Sequence, residues 1–266
     1  MPLARSGTVG RLRANNCALS RRRTDLSKNI YRVYIFSWRE ERIMGITSVD
    51  FHFDIMCPYA FQTSLWMRDV RDQLGLEVQW RFFSLEEINR IEGKKHPWER
   101  EWSYGWSMMR VAALLRRVDP QLVDLWYQAA GTALHVDGHK PHRREVAEHL
   151  VAEMGLDPSI VRQAIEDPTT SDDVKAEHDR VVSLGGWGVP TLVFDNAHAL
   201  FGPVLIDPPS GPAALRLWEM VTGWLEFPNL YEIQHPKRRE DLQAIATAFQ
   251  PYLEARDWES MQKETP

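Results

Sequence analysis

Val49-Asp50-Phe51-His52-Phe53-Asp54-Ile55-Met56-Cys57-Pro58-Tyr59-Ala60-Phe61-Gln62-Thr63-Ser64-Leu65-Trp66-Met67 is the stretch on which the fold turns. Its first part, Val49 to Asp54, alternates apolar and polar side chains, the period of a strand. From Tyr59 on, large apolar residues fall at Phe61, Leu65, Trp66 and Val70, the period of a helix. Cys57-Pro58 joins the two, so the cysteine stands at the helix N-terminus, where unpaired N–H groups and the positive end of the helix dipole favour an anion. That position predicts a stabilised thiolate and a lowered thiol pKa. Pro58 suits the first helical position, which has no hydrogen bond to lose.

A lone cysteine is more often a small buried hydrophobe than a nucleophile. The strand–Cys-Pro–helix setting argues for the nucleophile, and a second element far along the chain strengthens it. Gly185-Gly186-Trp187-Gly188-Val189-Pro190-Thr191-Leu192-Val193-Phe194 sets a proline directly before an apolar strand, a place for a cis X-Pro bond. A Cys-Pro helix start and a later Val-Pro-Thr turn, in this order across a long helical region, form the two-part signature of the thioredoxin fold.

With 266 residues the chain is long enough for one core carrying a large insertion. Hydrophobic and charged contents of 44% and 26% are those of an ordinary soluble protein, and no apolar run is long enough to span a membrane. Two cysteines, Cys17 and Cys57, do not make a disulfide framework, which fits a reducing cytoplasm. A net charge of -5 argues against general nucleic-acid binding. Most of the eleven Trp are expected in the core.

Residues 1–43 carry ten of the 32 basic residues and three of the 37 acidic ones, leaving 22 basic and 34 acidic in the rest. No apolar h-region follows the arginines, so this is not a secretory signal. The expectation is a disordered basic extension, with Met44 the natural start. Thr47–Asp54 and Glu77–Phe83 read as strands around a helix from Tyr59 to about Leu74, stopped by Gly75. Helical periods follow at Trp102–Arg117, Pro120–Leu134, Arg143–Glu153, Ser159–Glu166 and Ser171 to about Leu184. Thr191–Phe194 and His198–Phe201 make a hairpin around Asp195-Asn196, Gly211–Trp224 a closing helix, and Arg239–Leu253 one helix in a charged tail. The fold class expected is α/β: a thioredoxin-like domain of residues 44–84 plus 185–235, a helical insertion domain of residues 85–184, and a tail of residues 236–266.

This order resembles the disulfide-bond oxidoreductase A (DsbA-like) branch of the thioredoxin superfamily. Within it, Asp54-Ile55-Met56-Cys57-Pro58-Tyr59-Ala60-Phe61 and Phe201-Gly202-Pro203-Val204-Leu205 are most similar to the mycothiol-dependent nitroreductase group. Ser84-Leu85 with Asn89, His135 with Gly138, and Trp218 with Phe227-Pro228 extend the likeness over roughly residues 48–235. The resemblance implies that Cys57 is the redox nucleophile, with Pro58, Tyr59 and Ala60 completing its motif. It implies that Val189-Pro190-Thr191 is the facing cis-proline, thiol-binding loop, and that Asn89 and His135 lie by the thiol pocket. A helix cap for Asn89 and a solvated helix-end histidine for His135 remain open readings.

The departure is Ala60, where the dithiol pattern Cys-x-x-Cys has its second cysteine. Without that thiol, a mixed disulfide on Cys57 needs an outside thiol to resolve it. The expectation is therefore a cytoplasmic monothiol oxidoreductase using a low-molecular-weight thiol, mycothiol or glutathione, and no metal. Its acceptor is a small nitroaromatic, quinone or mixed disulfide, with a thioredoxin or mycoredoxin as candidate reductant and neither nucleic acid nor membrane as partner. Two alternatives stand beside it. One is a thiol transferase or isomerase like the kappa-class glutathione transferases and 2-hydroxychromene-2-carboxylate isomerases, which usually have Ser where Cys57 stands. The other is an inactive binding protein of the same fold. The histidines at 135, 139, 142 and 149 lack companion ligands at metal spacing.

Overall fold

The computed structural model of the protein describes residues 45–255. The expectations for residues 1–43, the start at Met44, Cys17 and the last residues of the tail lie outside the described residues. A four-stranded sheet in the order β2-β1-β3-β4 is the frame. β1 (Ser48–Phe53) runs parallel to β2 (Glu77–Phe82), from Ser48 opposite Glu77 to Phe53 opposite Phe82. On its other side β1 pairs antiparallel with β3 (Thr191–Phe194), Phe51 facing Leu192, and β3 pairs with β4 (His198–Phe201) in a hairpin. Asp195 and Asn196, at φ 50° and 56°, make the turn, the left-handed pair that a tight hairpin needs.

The polar residues of β1 do not face water. From Val49 to Phe53 both faces of β1 are covered, and Asp50 and His52 are buried with the apolar residues. Asp50 accepts from Arg81 at 3.2 Å, and the His52 ring is 3.3 Å from the Phe82 carbonyl through Nδ1. Alternation in this strand marks two unlike buried faces rather than one wet and one dry.

α1 (Pro58–Leu74) follows β1 and ends at Gly75, whose φ of 66° lets its N–H reach back to the Arg71 carbonyl. Its apolar stripe, Phe61, Trp66, Met67 and Val70, is buried. Trp66 donates to the Ala214 carbonyl of α8 (Pro212–Gly223) at 3.0 Å and packs near Trp218, so α1 and α8 close one side of the sheet.

Between β2 and β3 the chain is helical: α2 (Leu85–Ile88), a 3-10 turn at Pro97–Glu99, α3 (Tyr104–Val118), α4 (Gln121–His135), α5 (Arg144–Glu153), α6 (Ser159–Glu166) and α7 (Pro168–Ser183). α7 starts three residues earlier than the periodicity predicts. Asp167 caps it, accepting from the Thr169 N–H at 2.9 Å, and Pro168 takes the first helical position. α7 is bound to the sheet through Glu177, whose carboxylate accepts from the Phe82 N–H at 2.8 Å, Arg81 at 3.0 Å and Arg116 at 2.6 Å.

After a 3-10 turn at Trp224–Glu226, the tail forms two helices, α9 (Arg239–Ala248) and α10 (Gln250–Ala255), where the sequence predicts one. Pro251 has no N–H to continue the ladder, and the chain bends at Phe249. Among the described residues no helix is long and apolar enough to cross a membrane.

Candidate active site

Cys57 is the residue that caps α1. Its backbone is extended, at φ −92° and ψ 112°, and its sulfur accepts from the Ala60 N–H at 3.4 Å. The loop before it is pinned by Asp54, whose backbone carbonyl accepts from the Cys57 N–H at 3.0 Å. One oxygen of the Asp54 carboxylate accepts from the Met56 N–H at 2.9 Å and the other from the Leu85 N–H at 2.8 Å. The strand–helix junction is thus tied to the start of α2.

The Val189–Pro190 peptide is cis, and the Cys57 thiol faces the Val189 carbonyl at 3.7 Å. The two signature stretches therefore meet. Thr191 donates from its hydroxyl to the Gly188 carbonyl at 2.7 Å, which holds the cis-proline loop to itself. A second cis bond, Gly202–Pro203, was not visible in the sequence pattern. It sits beside the first, with the Gly202 N–H on the Pro190 carbonyl at 2.8 Å and the Thr63 hydroxyl on the Pro203 carbonyl at 2.7 Å.

The electrostatics contradict one expectation. Cys57 is 7% exposed and packed with Ala60, Phe83, Val181, Val189 and Val193. Burial pushes its thiol up to about 12; the Ala60 and Tyr59 N–H groups pull it down, and the Asp54 carboxylate adds to the rise. The predicted low pKa is therefore wrong for this resting structure. The helix N-terminus offers the Ala60 and Tyr59 N–H groups, the former at a long 3.4 Å, and losing water around the sulfur outweighs them. Asp54 is 1% exposed, and burial raises its carboxyl to about 7 against its two backbone N–H bonds.

Of the two polar residues carried over by resemblance, His135 stands under the cysteine loop. It ends α4, is 2% exposed, and donates from Nε2 to the Ile55 carbonyl at 2.8 Å. Burial lowers its pKa to about 4, so the ring is neutral, and its Nδ1 is buried without a hydrogen-bond partner among the described residues. The solvated helix-end reading of His135 is thereby excluded. Asn89 is exposed at the C-terminal cap of α2, with its side-chain amide on the Leu85 carbonyl at 2.9 Å. The structure brings Cys57, Pro58, Tyr59, Ala60, Val189 and Pro190 together, while Asn89 serves as an exposed cap of α2.

Sequence reasoning missed three residues here. Asp54 carried a signal, an acid three residues before the cysteine in a loop with orphan N–H groups to satisfy. Phe249 and Tyr252 carried none beyond their apolar spacing. The Phe249 ring meets Tyr59 edge-on, centroids 4.8 Å apart, and Tyr252 lies 5.3 Å from His135.

Known proteins of three kinds are similar to this chain. A solved 2-hydroxychromene-2-carboxylate isomerase superposes with a TM-score of 0.50 at 13% identity, covering 68% of this chain and 97% of its own; that likeness is one of fold. The oxidoreductase DsbA from Xylella fastidiosa gives a TM-score of 0.46 at 14% identity, over 67% of this chain and 86% of its own. The "Uncharacterized protein Rv2286c" of Mycobacterium tuberculosis (strain ATCC 25618 / H37Rv) is 57% identical over 218 residues, 82% of this chain and 94% of that relative. The Rv2466c-like family model, described as mycothiol-dependent nitroreductase Rv2466c, matches residues 56–235. The chain has a thioredoxin-like fold of DsbA type and belongs to the Rv2466c-like oxidoreductase family.

Proposed function

We propose that the protein is a cytoplasmic monothiol oxidoreductase in which Cys57 works with a low-molecular-weight thiol, mycothiol by the family's description, to reduce a small acceptor. The observation that carries this reading is the Cys57 sulfur at the start of α1, facing the carbonyl before a cis proline, with Ala60 in place of a second cysteine. That donor set fits a thiol substrate: a backbone carbonyl on one side of the sulfur, an N–H on the other, and apolar walls. The balance runs in two steps. Cys57 and one small thiol give two electrons and two protons to the acceptor, a quinone becoming a hydroquinone, or a nitro group becoming a nitroso group and water, and a mixed disulfide forms on Cys57. A second small thiol attacks that disulfide, restores the Cys57 thiol and leaves as the small-molecule disulfide. Val189, Pro190 and Thr191 hold the bound thiol's backbone-like groups, and a thioredoxin or mycoredoxin is a candidate recycling partner.

The raised thiol pKa favours a second reading. A Cys57 that stays neutral at pH 7 resembles the serine of the kappa-class transferases and chromene isomerases, donating a hydrogen bond to the cofactor's sulfur rather than attacking. Intact mass separates the two. A Cys17→Ser chain, with Cys57 as its one thiol, incubated with oxidised mycothiol, glutathione or bacillithiol should gain one thiol adduct, absent when Cys57→Ser is added. No adduct with any of them, together with thiol-dependent turnover surviving in Cys57→Ser, would leave the transferase reading.

A further inference from the structure

Cys57 is buried, yet any reaction at its sulfur needs a path to it. The loop that carries it has two supports. Downstream, Tyr59 packs against the cluster around Cys57. Upstream, His135 holds the Ile55 carbonyl, two residues before the cysteine. One short segment touches both. Phe249, 4% exposed, meets Tyr59 edge-on, and Tyr252, one helical turn on, lies over the His135 ring, whose other neighbour is Phe61 at 5.1 Å. Pro251 packs beside Gly138: a Cβ placed there would meet the Pro251 carbonyl oxygen in ordinary contact, at 3.6 Å. Ala255, at the end of α10, is buried as well, at 2% exposure.

The rest of the segment is held loosely. α9 buries no residue, and the stretch leading to it leaves Tyr231 and Ile233 87% and 71% exposed. A segment docked through so few side chains opens at a small fraction of the global unfolding free energy. It also lies beyond residue 235, where the match to the family ends.

We propose that Phe249 and Tyr252 are access-determining residues of the active site: α9 and α10 form a hinged cover, docked on Tyr59 and His135, that selects by size which molecules reach Cys57. The family-matched region supplies the sulfur and the cis-proline loop, and this C-terminal segment sets what reaches them. Its importance for turnover rests on the proposed role of Cys57, but access to the sulfur is measurable whatever Cys57 does.

The test is the rate of Cys57 alkylation in the full chain carrying Cys17→Ser, which leaves Cys57 as its one thiol, by two reagents, iodoacetamide and a maleimide bearing a fluorescein group. Phe249→Ala, and independently Tyr252→Ala, should speed the bulky reagent about tenfold and iodoacetamide much less, because removing a docking ring favours the open state. Urea midpoints measured alongside register general loosening. An unchanged ratio of the two rates in both variants overturns the proposal. So does a rise equal for both reagents that follows the loss of global stability. Either result is distinct from a missing mass adduct, which concerns the chemistry of Cys57 and not access to it.

Discussion

At Cys57 two local forces oppose each other, and their outcome is measurable. Helix-start N–H groups favour the thiolate, while a shell from four separate parts of the chain excludes the water it needs. With the thiol pushed up to about 12, alkylation by iodoacetamide should rise about tenfold per pH unit from 7 to 9, following the thiolate fraction. A rate that bends over near pH 9 and levels off by about pH 10 would show an ordinary thiol, and a plateau below pH 8 a depressed one. Asp54 gives a second test. Its folded pKa of about 7 lies above the ordinary 3.8, so the folded state holds a proton that the unfolded chain has lost between those values. Its contribution favours folding below that window and is lost as pH rises through it, an effect on the order of 4 kcal/mol in full. The stability difference between wild type and Asp54→Asn should therefore move in the variant's favour from pH 5 to pH 8, read from urea midpoints. The buried histidines at 52 and 135 titrate in both proteins and cancel in this comparison; a difference constant with pH would remove Asp54 as the titrating group. The sequence offered Cys57 by its place at a helix start, a local property. It hid the burial, because Phe83, Val181, Val189 and Val193 come together only in three dimensions.

Among the elements, α1 and α4 are set at their distance by a missing side chain. A Cβ on Gly131 would lie 2.4 Å from a ring carbon of Phe61, and that ring is buried between Tyr127 and His135 with nowhere to turn. Gly131→Ala should lower stability by about 1–3 kcal/mol through overpacking, although alanine gains about 1 kcal/mol in an unhindered helix interior. Chemical denaturation decides between them: a stabilised variant would mean the ring moves aside. Elements were legible where their ends carry backbone chemistry of their own. Gly75 stops α1, Asp195-Asn196 turns the hairpin, and both strands of that hairpin lie where the sequence puts them. They were misread where the end depends on one proline's meaning. Pro168 starts α7 early because Asp167 caps it, and Pro251 splits the tail helix. The tail's docking on Tyr59 and His135 was not legible at all, since Phe249 and Tyr252 look like the apolar stripe of any amphipathic helix among charges.

Across the whole molecule, the sheet is assembled from two distant parts of the chain. Phe51 of β1 faces Leu192 of β3, and the cis-proline loop that covers the cysteine comes just before β3. The thioredoxin-like architecture was readable because both halves keep their punctuation, Cys57-Pro58 in one and Val189-Pro190 in the other. What lies between them gave only helix periods, and packing through single half-buried groups such as Glu177 has no sequence period to show it. The long separation between the paired strands also has a consequence for biosynthesis. A ribosome adding roughly 5–20 residues per second needs on the order of ten seconds or more to go from Cys57 to the end of β3. Throughout that interval the nascent thiol lacks its cover and is open to exchange with the oxidised, disulfide form of the small thiols that the finished enzyme is proposed to use, one of which joins Cys57 while the other leaves as a thiol.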